Sequence, residues 1–236
     1  MNNNELGRVE SLSEWYLQEQ LDFDKRLIRF RYETIKPKLV GDIGLELGSA
    51  EGEMTQFLAD DFKSLTVVDG AADLLDKIPN WPNVVKVHSL FESFRPSRKF
   101  DSIILEHVLE HVEEPVALLQ IVKQWLAPNG RLFLGVPNGN SIHRQVAVKM
   151  GLLDNPCQLN SRDIALGHRR VYTPDTFRVD IEGAGLKVSE IGGVFYKPLS
   201  NKQIQENWTE EMIMGFFELG KEFPEVAAEI FAVCEL

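Results

Sequence analysis

Short apolar runs punctuate the middle of the chain, each bounded by polar or turn-forming residues. Leu65-Thr66-Val67-Val68-Asp69, Val84-Val85-Lys86-Val87-His88, Phe100 to Leu105 and Leu132-Phe133-Leu134 read as buried strands. Between them lie stretches with helical spacing: Met54 to Ala59, Ala71 to Lys77 (closed by Pro79) and Pro115 to Leu126. Strands that alternate with helices predict an α/β fold with a doubly wound, mostly parallel sheet and helices on both faces.

The flanking regions follow other rhythms. Ser11-Leu12-Ser13-Glu14 has a capping-box pattern, and Trp15, Tyr16, Leu27, Ile28 and Phe30 supply apolar positions for a helical cap over residues 1–37, ended by Pro37. Residues 138–173 are too long for an ordinary connection and are expected to form a partly helical lid. Pro174 to Gly183 reads as a helix with proline in its first turn. Leu186–Ile191 and Val194–Lys197 are expected to form a hairpin around Gly192-Gly193, which completes a closing unit over 174–198. Residues 199–236, with Met212, Phe216, Phe217 and Phe223 at helical spacing, predict C-terminal helices packed on the sheet or on a second subunit of a homodimer. One domain thus spans 1–236, with 38–137 as its binding core.

Candidate chemistry enters at Gly44-Leu45-Glu46-Leu47-Gly48-Ser49-Ala50-Glu51-Gly52, a glycine loop between a buried strand and a helix. Such a loop lets the backbone turn tightly and approach a nucleotide. Glu46, Glu51 and Glu53 would repel a pyrophosphate, whereas S-adenosylmethionine carries a sulfonium and an ammonium beside its adenosine. A nicotinamide or flavin site would prefer glycine at position 50, where this chain has Ala50. Asp69 ends the next strand about 20 residues on, where a ribose-binding acid stands in Rossmann-type folds.

With Phe100-Asp101-Ser102-Ile103-Ile104-Leu105-Glu106-His107-Val108-Leu109-Glu110-His111-Val112 and Leu126-Ala127-Pro128-Asn129-Gly130-Arg131-Leu132-Phe133-Leu134, these landmarks resemble the class I S-adenosylmethionine-dependent methyltransferases of small-molecule type. The match covers roughly residues 40 to 137, more loosely to about 198. The resemblance implies a seven-stranded sheet with an antiparallel last strand, and S-adenosyl-L-homocysteine as product. It places Glu46, Gly48, Ser49 and Gly52 at the methionine moiety and Asp69 with Gly70 at the ribose. Ser89, Leu90 and Phe91 would flank adenine. Glu106, His107 and His111 would face the methionine end and the acceptor. Many members have an acid at position 89, which leaves the adenine amino contact open here.

His107-Val108-Leu109-Glu110-His111 also fits H-x-x-E-H, a zinc-peptidase pattern in which two histidines stand one helical turn apart. Pro115 follows closely and the segment leaves a buried strand directly, so no metal is expected from it. His107 is the first choice of general base, ahead of His143 and His168. The lid carries Arg144, Arg169, Arg170 and Tyr172, expected with Tyr16 to bind substrate, because arginine forks suit anionic acceptors. The same arginines would alternatively pair with Asp154, Asp163 or Asp175 and only brace the lid.

Composition narrows the partners. A net charge of −11 over 236 residues argues against a nucleic-acid binder, which normally displays a basic face. The polar Met1-Asn2-Asn3-Asn4-Glu5 is no signal peptide, no apolar run spans a bilayer, and Cys157 and Cys234 form no disulfide framework. A cytoplasmic enzyme is expected, without membrane partner. It would methylate a small, anionic metabolite, at oxygen rather than nitrogen, in bacterial glycan or natural-product biosynthesis. The oxygen preference rests on the absence of an Asn-Pro-Pro-Tyr-like motif after strand four. A macromolecular (tRNA or protein) methyltransferase and a non-catalytic S-adenosylmethionine-binding protein are the alternatives.

Overall fold

A computed structural model describes residues 3–16 and 22–236. Helices α1 (Asn3–Tyr16) and α2 (Asp22–Ile35) precede the core. The capping-box pattern at residues 11–14 lies inside α1 and starts no helix there; Ser11 Oγ donates back to the Arg8 carbonyl at 2.8 Å instead. The Tyr16 side chain, a predicted substrate contact, lies outside the described side chains.

The core alternates as the apolar pattern requires: β1 (Ile43–Leu47), α3 (Thr55–Asp61), β2 (Ser64–Asp69), α4 (Ala72–Lys77), β3 (Val84–His88), β4 (Phe100–Glu106), α5 (Pro115–Lys123), β5 (Leu126–Pro137). Strand neighbours run β3-β2-β1-β4-β5-β7-β6, and only β7 (Glu229–Glu235) is antiparallel to the rest. Chain order reverses between β1 and β4, which opens a crevice at the carboxyl ends of these strands. Successive side chains feed opposite faces. Ile103, Leu105, Leu132 and Leu134 pack under α5 and α8 (Pro174–Gly183), while Ile104 and Phe133 pack with Phe30 and Leu58 on the other face. Helices α6 (Ile142–Lys149) and α7 (Ser161–Ala165) occupy the long stretch after β5.

The closing region corrects the sequence reading. Instead of a hairpin, β6 (Lys187–Val194) runs straight through Gly192-Gly193 and pairs with β7. The expected C-terminal helices are α9 (Asn201–Asn207) and α10 (Glu210–Glu222), but residues 229–235 form the strand inserted between β5 and β6. These glycines make room rather than a turn. A Cβ on Gly193 would stand 2.6 Å from the Gly220 carbonyl oxygen and the Pro224 Cα, and one on Gly220 would meet the Phe195 nitrogen at 2.4 Å. Phe217 and Ile213 of α10 bury against the sheet, while Met212 and Phe223 stay exposed.

Gly193→Ala therefore forces backbone apart. Overpacking of this kind costs about 1–3 kcal/mol, so the thermal midpoint should fall by roughly 2–12 °C for a chain of this size. Differential scanning calorimetry checks this; an unchanged midpoint would mean that the crossing is looser than described.

Candidate active site

The glycine loop is shaped by residues that only left-handed backbone can serve. Gly48, Ala50 and Gly52 have φ of 79°, 45° and 84°. A Cβ on Gly48 would stand 2.6 Å from Val108 Cγ2, so this glycine also lets the loop approach the turn after β4. Asp69 locks the loop to β2. Its Oδ2 accepts the Ser49 and Ala50 amides at 3.0 and 3.2 Å, and its Oδ1 accepts the Ala71 amide at 2.9 Å. Burial raises the Asp69 carboxyl from its ordinary value while these amides oppose the rise.

Glu46, at the end of β1, is buried and accepts Thr55 Oγ1 at 2.6 Å. Burial pushes its carboxyl up to about 8, the Thr55 hydrogen bond opposes this, and the nearby Asp69 adds to it. Glu106, at the end of β4, is pushed up to about 8 by burial, and both of its oxygens lack a hydrogen-bond partner. A ligand that brings positive charge and donors would favour the ionised form of both acids and would give the Glu106 oxygens the partners they lack among the described residues. They border a cavity of about 430 Å³ at the β1/β4 crevice, which Gly48, Ser49, Asp69, Gly70, Leu90 and Phe91 also line. Val9 of α1 closes over Gly70. Such a cavity, acidic at one end and apolar along the Leu90 side, fits a sulfonium nucleoside. Gly52 and Ser89 do not line it; the Ser89 hydroxyl donates to the Leu90 carbonyl at 2.9 Å.

The expected general base is placed differently from its reading in the sequence. His107 does line the cavity, on a left-handed backbone with φ 55°. Its Nδ1, however, lies 3.5 Å from Glu110 Oε1 and its Nε2 lies 3.4 Å from Glu229 Oε1. Both nitrogens face carboxyl groups, which leaves none directed at an acceptor. Burial pushes the imidazole down to about 4. His143 differs: its ring hydrogen-bonds the Lys197 carbonyl, and its buried Nδ1 has no partner. Burial, helped by the Lys197 and Arg144 charges, pushes it down to about 3, so the ring is neutral.

The lid arginines are braces. Arg144 is buried and donates to the carbonyls of Pro156 and Gln158 and to Asp163 Oδ2 at 3.1 Å. Arg169 donates to the His111 carbonyl at 2.9 Å and to Glu5 at 2.9 Å. Arg170 donates to the carbonyls of Leu109, Val112 and Glu113. The turn after β4 has carbonyls that no helix or strand satisfies, and the returning lid supplies the missing donors. Tyr172 is buried, and its hydroxyl donates to Asp180 Oδ2 at 2.8 Å, away from the cavity. Of the predicted substrate contacts among the described side chains, only Arg144 borders the cavity, and its fork is already engaged.

The structure brings in groups that the sequence reading passed over. Arg31 from α2 lies 3.4 Å from Glu229 of β7, and both line the cavity. The Arg31 and His107 charges draw the Glu229 carboxyl down to about 2, against its burial. Lys197, which follows β6, also lines the cavity and donates to Asn201 Oδ1 at 2.9 Å. Burial pushes its ammonium down to about 8. The other cavity-lining cations have carboxylate partners: Arg8 with Glu5, Arg31 with Glu229, Arg144 with Asp163 and Arg162 with Asp24. Among the described residues, no carboxylate lies within 4.0 Å of Lys197. Each of these groups is distant in sequence from the others, so no motif spacing announces them.

Comparisons with known proteins place the chain in a family. A family model described as a methyltransferase domain matches residues 17–191. The ubiquinone biosynthesis O-methyltransferase of Xanthomonas euvesicatoria pv. vesicatoria is 23% identical over 200 residues, 78% of either chain. The enzyme of that name from Coxiella burnetii is 24% identical over 182 residues, 74% of this chain and 76% of the relative. A solved S-adenosylmethionine-dependent methyltransferase from Mesorhizobium loti aligns with a TM-score of 0.63 at 14% identity, covering 88% of this chain and 98% of the other. The N-methyltransferase NodS from Bradyrhizobium japonicum, solved with S-adenosyl-L-homocysteine, gives 0.57 at 18% identity over 98% and 95%. At these identities the solved structures speak for the fold.

Proposed function

We propose, from the premise that the chain belongs to the methyltransferase-domain family and is an S-adenosylmethionine-dependent methyltransferase, that its acceptor is a small molecule with an acidic oxygen. A phenol, an enol or a carboxylic acid would qualify. The observation that carries this reading is Lys197, the cavity-lining cation without a carboxylate partner, beside His143, whose Nδ1 lone pair is free. A partly buried ammonium with a single neutral partner has N–H groups left for an anionic oxygen. The relatives named O-methyltransferase support oxygen as the target. The anionic-acceptor idea thus survives, on Lys197 instead of the lid arginines.

Glu46, Asp69 and Glu106 would hold the donor, with Leu90 and Phe91 along its adenosine. When bound, S-adenosylmethionine supplies an electrophilic methyl group whose carbon–sulfur bond breaks to leave a neutral thioether. The chain's own task is alignment of the acceptor oxygen with that carbon, which can lower the barrier by several kcal/mol. Lys197 would hold the oxygen; from a phenol or enol that arrives protonated, His143 Nδ1 would take the proton as the new carbon–oxygen bond forms, whereas a carboxylate arrives ionised and needs no base. Burial is the larger cause of the His143 depression, and negative charge brought beside Lys197 would offset only the smaller part that comes from the Lys197 charge. A nucleic-acid acceptor is disfavoured because the chain carries a net charge of −11.

The test is methyl transfer from labelled donor into fractionated cell extract, followed by steady-state kinetics on phenolic, carboxylic and amine acceptors. Lys197→Met should raise the KM of an acidic acceptor at least tenfold, the cost of roughly one charge-assisted contact. Donor affinity should change little. Amines as the preferred acceptors, with a Lys197→Met enzyme matching the parent, would overturn the reading.

A further inference from the structure

The H-x-x-E-H segment plays no part in the chemistry above, and its surroundings point to another use. Residues 107–114 form successive turns rather than a helix, so His107 and His111 do not stand one helical turn apart. Instead, the fold gathers Glu110, His111 and His168, with one ligating atom of each within 4.8 Å of the others. His168 arrives from the end of the lid, where the Arg169 amide donates to the Glu110 carbonyl at 2.8 Å and pins the two segments together. The sequence pattern therefore offered the right residue types with the wrong partner.

Both imidazoles are held as metal ligands usually are. The His111 ring hydrogen-bonds the Gly167 carbonyl. His168 Nδ1 lies 3.5 Å from Asp163 Oδ1 and is hydrogen-bonded to that carboxylate. One nitrogen of each ring thus acts as donor, which fixes the tautomer and leaves the other nitrogen's lone pair available. Glu110 is buried, and among the described residues neither of its carboxyl oxygens has a hydrogen-bond partner, although His107 Nδ1 stands 3.5 Å from Oε1. The nearby arginines are committed elsewhere: Arg31 to Glu229, Arg8 to Glu5 and the His111 carbonyl, Arg169 to Glu5 and that same carbonyl. A buried carboxyl with no partner is costly unless something completes it. A bound cation would complete it and use both free imidazole nitrogens at once.

We propose that Glu110, His111 and His168 form a binding site for a divalent transition metal of the zinc type. Two imidazoles and one carboxylate suit zinc, iron(II) or cobalt(II), whereas magnesium and calcium favour oxygen ligands throughout. Tetrahedral bonds of about 2.0–2.2 Å set ligand atoms roughly 3.4 Å apart. Pairs as wide as 4.8 Å must therefore close by about 1.4 Å when the metal binds. His111 and His168 line the cavity and Glu110 does not, so a metal held by the three would lie at the cavity wall, where a further coordination position would be open to a cavity ligand. An acceptor hydroxyl reaching that position would be polarised and made more acidic. That last consequence rests on the acceptor reading above; the metal site itself does not.

The experiment is titration of the chelator-treated full chain with Co2+, in the absence of donor and acceptor. It is followed by the visible absorption of the bound ion and by displacement with Zn2+. Stoichiometric uptake is expected, with Glu110→Gln and His168→Ala each weakening affinity at least tenfold. Lys197→Met, outside the cluster, should bind as the parent does. Because neither substrate is present, the wrong acceptor class would leave this result intact, and failure to bind metal would leave the acceptor reading intact. Parent uptake no greater than that of a folded His168→Ala chain overturns the proposal. His168 sits at the cavity wall, so its variant decides the matter even if Glu110→Gln fails to fold.

Discussion

His143→Gln should lower turnover of a phenolic or enolic acceptor by about 10²–10⁴-fold, the usual contribution of a positioned general base. Donor affinity, read by calorimetry, should stay near that of the parent. Two features select this residue. Its Nδ1 is buried without a partner, and its ring is oriented by the Lys197 carbonyl. By contrast, both nitrogens of His107 face carboxyl groups, and Nδ1 of His168 faces Asp163. The pH profile adds a second readout. Burial holds the His143 imidazolium down at about 3, so the folded group keeps its base form well below the ordinary histidine range. A neutral base needs no deprotonation near pH 7, and kcat/KM should therefore be flat through the ordinary histidine range, with its acid limb displaced below it. A His143→Gln enzyme with parental kcat would remove the residue from the reaction.

Asp69→Ala should weaken donor binding by roughly a hundredfold or more while the far-ultraviolet circular dichroism stays native. Charge-assisted hydrogen bonds to ribose hydroxyls contribute about 1.5–3 kcal/mol each, and every 1.4 kcal/mol is about a factor of ten. The structure adds a reason that the sequence did not contain. Asp69 also accepts the amides of Ser49, Ala50 and Ala71, so the substitution would unlatch the glycine loop that forms the cavity wall. Asp69→Asn keeps one acceptor oxygen and should fall between parent and alanine variant. Calorimetric titration with S-adenosylhomocysteine measures all three. Affinity within about threefold of the parent in a folded alanine variant would show that Asp69 only braces the loop.

These expectations divide according to what a local pattern encodes. The apolar runs at 65–69 and 100–105, the strand before the glycine loop and the Val-rich edge run at 84–88 made the first four strands legible in chain order. A fully buried parallel strand must be apolar along its whole length, and its helix must show the 3.6-residue period. The glycine loop, Asp69 and the acidity around Glu46 were legible for a similar reason: backbone conformation and ligand charge act over a few consecutive residues. Glycines at 192–193 misled because the same residue type serves a turn and a close crossing. Only the approach of Gly220 and Pro224, about 30 residues later in the chain, distinguishes the two. Residues 229–235 were hidden because strand pairing between β5 and β6 is non-local, and a short apolar run reads equally as part of a helix. The lid arginines looked free because sequence shows their charge but not the unsatisfied carbonyls of the turn at 109–113 that take them up. Sequence alone therefore determined the parallel part of the sheet and the class of donor, but not the antiparallel edge formed by β7 and β6. Tertiary structure decided that Lys197 and His143 line the cavity while Arg169 and Arg170 do not, and that Glu110 and His111 meet His168. Those choices depend on contacts among groups from β4, the lid, the segment after β6 and β7, whose separation in the chain leaves no periodic trace.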